Sequence, residues 1–287
     1  MKLKPTQLLF FCLGTLLFSV NIQASPQRIV SLNLCADQLL VEMLPPERLV
    51  GITNLAGDSG ISFQYKKASQ YHQHNGRVEE IIALKPDLIV AGAYTTQTTN
   101  QLLGKLGYLV VKIGLPKTIA EIEQQVIMLG GQVGASDEAA IIVKRMSGSL
   151  ALLRETRISG SPKAAIYYAN GFSAGKLTIV DEVLSVAGFS NIAAEQGLDF
   201  VAPLSMETLL KAEPDVLILG RYQENTDSMA HQVLKHPALQ GHIQSSRAVT
   251  VTMPDRYWDC AGPSIVAAVE QLQVGFQKSL MGNSFHE

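Results

Sequence analysis

Cysteine is scarce in this chain, with three residues in 287. That is too few for a disulfide scaffold, and no zinc-finger spacing is present. Aromatic residues reach only 6%, with a single Trp, so an aromatic in a loop is conspicuous. Charged residues make up 17% against 47% hydrophobic, which excludes a disordered or coiled-coil chain. Neither sign of charge dominates. The net charge is −2, so no basic field advertises a nucleic-acid partner. Beyond the first two dozen residues no apolar run approaches transmembrane length.

The first segment reads as an address. Lys2 and Lys4 precede an uncharged apolar run from Leu8 to Val20, and Gln23-Ala24-Ser25 offers a small-residue cleavage point. This is the pattern of a secretory signal peptide over residues 1–24, and the run is short for a membrane span of about 20 residues. Cys12 lacks the context of a lipid anchor. Cleavage would take the net charge from −2 to −4 and leave Cys35 and Cys260 in an oxidising compartment.

In the rest of the chain, short apolar strands alternate with helices. Strands are expected at 28–32, 49–52, 87–90 and 109–113, and helices at 36–43, 78–85 and 98–106. Residues 53–76 are polar and without periodicity, and read as loop. Such alternation predicts a parallel α/β sheet. A capping box from Thr118 to Glu121 opens a helix that Gly130-Gly131 is expected to break. Ser136-Asp137-Glu138 then caps a long helix to about residue 156. Strands follow at 164–168, 216–219 and 248–252, with helices at 180–187, 206–212, 228–235 and 264–278.

One helix–strand unit occurs twice, 128 residues apart. Glu79 to Gly92 is the first copy and Glu207 to Gly220 the second, with Glu, Pro, Asp and Gly in register. A period this long implies two similar lobes rather than a solenoid, whose repeats are about 20–50 residues. Proline stops the helix, aspartate begins the turn, and glycine ends the strand. Ligands of open α/β sheets bind beyond the carboxyl ends of strands, so two facing lobes can line one cleft.

Four segments carry a resemblance: Arg28-Ile29-Val30-Ser31-Leu32, Glu79…Lys85-Pro86-Asp87, Ser205-Met206-Glu207…Pro214-Asp215, and Gly262-Pro263 opening the last helix. In their order and spacing the chain resembles the substrate-binding proteins of ABC importers for cobalamin and ferric siderophores, the helical-backbone metal receptors. The resemblance covers residues 26–281. It implies two Rossmann-like α/β lobes with parallel sheets, joined by one long rigid α-helix, with a ligand cleft between the lobes and modest closure. The lobes would be 26–134 and 159–281, the linking helix 135–158 and the tail 282–287. It further implies that Glu79 and Glu207, one acid per lobe, dock onto arginines of the membrane permease. A glutamate in a first helical turn also meets the helix dipole favourably, and both roles can hold.

Other motifs point elsewhere. Gly171-Phe172-Ser173-Ala174-Gly175 matches the nucleophile elbow of a serine hydrolase, with Asp215 or Asp227 and His231, His236 or His242 as partners. An elbow needs an immediate helix, whereas Lys176-Leu177-Thr178 looks extended, and no oxyanion segment is present. The same stretch fails as a phosphate loop because Leu177 stands where Ser or Thr must meet magnesium. His72 and His74 sit in a polar loop and read as solvated, since no further histidine follows a core strand to complete a metal site.

Residues just past strand ends are the ligand candidates: Asn33, Cys35 and Tyr94 in the first lobe, and Asn170, Phe172, Arg221, Tyr222, Arg256, Tyr257 and Trp258 in the second. Aromatic faces suit a large flat ligand, and arginine suits an anionic group. Cys35 and Cys260 both border the cleft; a disulfide and a pair of free or metal-contacting thiols remain open. The expected function is that of a monomeric periplasmic receptor without covalent chemistry or cofactor. It would pass a metal chelate to an inner-membrane ABC permease with its cytoplasmic ATPase. Arg221 and Arg256 tilt the choice toward an iron complex (ferric siderophore or haem), with cobalamin close behind.

Overall fold

The computed structural model describes residues 25–95, 97–221, 236–245 and 248–283. The expected signal peptide, the helix at 228–235 and Tyr222 lie outside these.

The first lobe runs through β1 (Ile29–Ser31), α1 (Leu34–Met43), β2 (Leu49–Thr53), α2 (Tyr65–Ala68), β3 (Gln73–His74), α3 (Val78–Ala83), β4 (Leu88–Gly92), α4 (Gln97–Lys105) and β5 (Val110–Ile113). Its five strands are parallel in the order β3-β2-β1-β4-β5. The central strands β1 and β4 are buried at every position, which is why they read as unbroken apolar runs. Two helices, α5 (Ile119–Val133) and α6 (Ser136–Glu155), follow.

The second lobe contains β6 (Lys163–Tyr167), β7 (Phe172–Ala174), α7 (Ile179–Ala187), β8 (Ser190–Asn191), α8 (Ile192–Glu195), β9 (Val201–Pro203), α9 (Met206–Lys211), β10 (Val216–Arg221), α10 (Pro237–Ser245), β11 (Val249–Pro254) and α11 (Ile265–Asn283). Its main sheet is parallel, β11-β10-β6-β8, and β7 pairs with β9 in an antiparallel ribbon.

The 20 residues of α6 span roughly 30 Å at about 1.5 Å each. Its buried stripe is Ala139, Ile142, Met146 and Leu150, and it packs against α1 of the first lobe and α7 and α11 of the second. One apolar cluster therefore runs from Ile29 and Leu88 through Met146 to Ile166 and Val251.

Two local expectations are corrected here. The glycine pair does not break α5, which continues to Val133 and ends at Gly134 in the left-handed conformation. A Cβ on Gly130 would sit 2.3 Å from the Ala139 Cβ, so this glycine permits the close approach of α5 and α6. Nor does Ser136 cap α6. The cap is Ala135 without a side-chain bond, and Asp137 and Glu138 serve the first turn by charge. Within 53–76, α2 and β3 interrupt the expected loop.

The repeat has a shared construction. Asp87 accepts backbone N–H bonds from Gln27 (2.7 Å) and Arg28 (3.0 Å), and Asp215 accepts one from Lys163 (2.7 Å). Each thus fastens the start of its own strand to the neighbouring one. The Arg28 guanidinium donates to the carbonyl of Leu84 (2.6 Å) and Lys163 Nζ to that of Ala212 (2.8 Å). A cation closes each helix at equivalent positions, where carbonyls lack partners.

Candidate ligand cleft

The carboxyl ends of β1, β2 and β4 form the first wall. A cavity of about 330 Å³ is lined there by Asn33, Thr53, Leu55, Asn75, Tyr94 and Thr99, among others. Tyr94 is 84% exposed and Leu55 47%, so apolar surface is presented. Asn33 is largely occupied: its Oδ1 caps α1, accepting from the N–H groups of Cys35 (3.0 Å) and Ala36 (3.2 Å). Its amide packs where a Cβ on Gly92 would fall 2.3 Å from Nδ2, which accounts for the glycine ending β4.

Two buried titratable groups brace this wall, and the sequence reading missed both roles. Asp37 accepts bonds from the Thr53 hydroxyl (2.5 Å) and N–H, tying α1 to the end of β2. Burial pushes its carboxyl up to about 7, against hydrogen bonds from Ser31 and Thr53. His74 is buried rather than solvated. Its Nδ1 accepts from the Gly76 N–H (3.0 Å), so Nε2 carries the proton and donates to the Ser31 carbonyl (2.9 Å). Burial holds His74 below its ordinary value. With both nitrogens engaged it has no lone pair for a metal, and no cluster of His, Cys, Asp or Glu suited to a metal occurs among the described residues.

The raised carboxyl gives a pH prediction. Between about pH 4 and 7 the folded protein keeps a proton on Asp37 that the unfolded chain has shed. Stability from this group is full below its unfolded value and is lost as pH rises toward 7, by up to about 1.4 kcal/mol per pH unit. The Asp37→Asn variant should therefore gain on the parent as pH rises through that window. Urea titrations at several pH values that run parallel for both proteins would refute the protonated state.

The second wall is built from the end of β6 and the β7–β9 ribbon. Asn170 is exposed with φ 60°, and Phe172 and Phe200 are 37% and 49% exposed. Lys117, just past β5 of the first lobe, holds Nζ 4.8 Å from the Phe200 ring centroid, so the ribbon borders the gap between the sheets. Asp255 and Asp259 stand near Tyr168, just past β6. Asp259 keeps access to water while protein atoms crowd it. That crowding, with the Asp255 charge adding, pushes its carboxyl up to about 7. Burial and the same two acids raise the Tyr168 hydroxyl above its usual range.

The elbow motif is not a nucleophile. Ser173 is fully buried and its Oγ donates to the Ile166 carbonyl at 2.6 Å. It lies in a strand, not before a helix. Asp215 is committed at the opposite end of β10, and the Nδ1 of His236 accepts from the Ala238 N–H (3.2 Å). Asp227 and His231 lie outside the described residues, and so does the side chain of His242.

Several residues picked as ligand contacts instead join the lobes. Cys35 and Cys260 form a disulfide with Cα atoms 5.1 Å apart. Arg256 Nη1 donates to the Ser59 carbonyl of the first lobe at 2.7 Å. Tyr257 meets Phe63 edge to face at 5.7 Å between centroids. Trp258 has no face toward the cleft: it is 1% exposed and belongs to the core, and its Nε1 has no hydrogen-bond partner among the described residues. The 3₁₀ turn Asp255–Tyr257 directs neighbouring side chains to different surroundings. Arg221 ends β10, and the placement of its side chain is not described.

Glu79 and Glu207 occupy the first turns of α3 and α9. Both are exposed. Thr208 N–H is already taken by the Ser205 hydroxyl (3.0 Å), so Glu207 is not needed as a cap there.

The sequence pattern of the periplasmic binding protein family matches residues 29–243. The chain belongs to this family. Among relatives, it is 26% identical over 261 residues to the vitamin B12-binding protein of Photorhabdus laumondii, covering 89% of this chain and 90% of that one. It is 24% identical over 216 residues to the cobalamin-binding protein of Halobacterium salinarum, covering 74% of this chain but only 58% of that protein's length. Its fold superposes on the periplasmic heme-binding protein RhuT from Roseiflexus sp. RS-1 with a TM-score of 0.73 at 22% identity, over 88% and 98% of the two chains. Family and neighbours are binding proteins, not enzymes. As a periplasmic binding protein, with a relative named as a substrate-binding lipoprotein, the chain is placed outside the cytoplasm.

Proposed function

We propose that this periplasmic binding protein captures a metal chelate between its lobes and delivers it to an inner-membrane ABC permease powered by a cytoplasmic ATPase. It would act as a monomer exported by cleavage after residue 24. The observation that carries this reading is the family match across both lobes, supported by an open cavity of about 330 Å³ at the carboxyl ends of β1, β2 and β4 in the first lobe. Tyr94, Asn170 and Phe172 are the ligand contacts, joined by Phe200, which lacked a strand signal in the sequence. Arg221 and Tyr222 stay candidates by position alone. The division into lobes at 26–134 and 159–281, around a linking helix at 135–158 and ahead of a tail at 282–287, belongs to the same reading.

Charge favours cobalamin over an anionic iron complex. Arg256, one of the two arginines that pointed to an anion, is bound to the Ser59 carbonyl instead. A relative that spans most of the chain is named for vitamin B12. The test is a thermal-shift panel on residues 25–287 with cyanocobalamin, haemin, and hydroxamate and catecholate ferric siderophores. A ligand at about 100 times its dissociation constant adds roughly 2.7 kcal/mol. A shift with cyanocobalamin alone is expected. A shift with an anionic chelate alone would reverse the charge argument, and silence throughout would remove the chelate reading.

The exposed acids Glu79 and Glu207 supply matched docking points, one per lobe. Replacing both by alanine should abolish uptake in cells while leaving the ligand-induced thermal shift unchanged. If the shift is lost, or uptake persists, the docking assignment fails.

A further inference from the structure

We infer that the Cys35–Cys260 disulfide is an exchangeable clasp, a site for thiol–disulfide exchange with a dithiol reductant, and that its reduction frees the facing loops of the two lobes. The inference stands apart from the choice of ligand.

The bond joins Cys35, in the first turn of α1 at the carboxyl end of β1, to Cys260, in the loop ahead of α11 of the second lobe. Beside it, only the Arg256–Ser59 hydrogen bond and the Phe63–Tyr257 edge contact are described between loop 59–63 and loop 255–260. The Gln38 Oε1 accepts the Phe63 N–H at 3.0 Å, which fixes loop 59–63 to the helix that carries Cys35. Single contacts of these kinds are weak beside a covalent bond. The covalent bond is therefore the strongest tie on this flank.

The bond can also be reached. Cys35 is only partly buried, whereas Cys260 is 5% exposed. Both line a small cavity with Gln38, whose buried Nε2 has no partner among the described residues. Four residues of that cavity, Glu42, Phe63, Gln64 and Pro263, also line a groove of about 410 Å³ that is open to solvent along α6. Of the two cysteines, Cys35 is therefore the one that a thiol can approach.

The chemistry balances. One thiolate of the dithiol attacks the Cys35 sulfur, the S–S bond breaks, and the electron pair leaves on Cys260, which takes a proton. The second thiol attacks the reductant's sulfur in the mixed disulfide and releases Cys35. Two electrons pass to the protein and the reductant becomes a disulfide. The leaving Cys35 thiolate sits in the first turn of a ten-residue helix, where the dipole favours negative charge.

The test is native-state reduction of the full chain with dithiothreitol, followed by alkylation, mass spectrometry and hydrogen exchange. Reduction should outpace global unfolding. Amides in loops 59–63 and 255–260 should then exchange about tenfold faster or more with little dependence on urea, whereas β1 and β10, which open only with global unfolding, should keep a steep one. The Cys35→Ser, Cys260→Ser double variant should show the same loop pattern without reductant. Reduction only at the rate of unfolding would overturn the inference, as would unchanged loop exchange after reduction, or loop exchange with the same steep urea dependence as β1 and β10.

Discussion

Replacing Cys35 and Cys260 together by alanine is expected to lower the unfolding free energy by about 5 kcal/mol, measured in urea under oxidising conditions. The two cysteines are 225 residues apart, so the bond closes almost the whole folded chain into a loop. In the chain-entropy account the benefit grows with the logarithm of loop length, and this loop lies at the upper end of the usual range. The corresponding fall in melting temperature is roughly 10–20 °C for a chain of this size. Because both sulfurs sit at the lobe boundary, away from the centre of either sheet, the native state should lose little packing. The folded variant should keep its far-ultraviolet spectrum. A loss below about 1 kcal/mol would mean that the bond restrains the unfolded chain far less than its span implies.

Replacing Trp258 by alanine should cost about 3–5 kcal/mol, the usual range for emptying a large buried aromatic site. The side chain is the largest fully buried one among the described residues. Trp258→Phe should cost much less, because it keeps most of the apolar volume and removes an indole N–H that has no partner among the described residues. Tyr94→Ala offers the contrast. That ring is almost wholly exposed, so its loss should change stability by no more than about 0.5 kcal/mol while weakening the response to ligand. Melting curves of the three variants, with and without cyanocobalamin, separate the roles. If Trp258→Ala left stability intact and abolished the ligand response, the indole would belong to the cleft.

Much of the fold is legible from the sequence because its central strands are buried on both faces. Ile29–Ser31 and Leu88–Gly92 need continuous apolar runs, and such runs are conspicuous between polar helix faces. The ribbon of β7 and β9 escapes notice for the opposite reason. Each strand has three residues, too few for alternation to register, and their pairing is fixed by contacts distant in sequence. Gly130 misleads because a glycine that breaks a helix and one that lets two helices touch look alike until the partner, Ala139, is known.

The site divides in the same way. Topology puts the residues after strand ends at the carboxyl edges of the sheets, where Asn33 and Tyr94 line a cavity and Phe172 is partly exposed. What each side chain does depends on direction. Arg256, Tyr257 and Trp258 are consecutive, yet one meets a carbonyl, one a ring and one the core. The raised carboxyls of Asp37 and Asp259 are invisible in the chain because their cause is three-dimensional crowding.

The two copies of the helix–strand unit share one further detail. Lys85 and Glu213, equivalent in the repeat, both have φ of 50°, a conformation that costs a side-chain-bearing residue about 1–2 kcal/mol. Two unrelated residues, one basic and one acidic, are held in the same strained turn, so the backbone path rather than the side chain is what the two halves have in common. The molecule thus carries an internal control. Any substitution in one half has a counterpart 128 positions away, set in the same turn but facing a different neighbour. Comparing Lys85→Gly with Glu213→Gly within a single protein would separate what belongs to the shared architecture from what each half has acquired for itself.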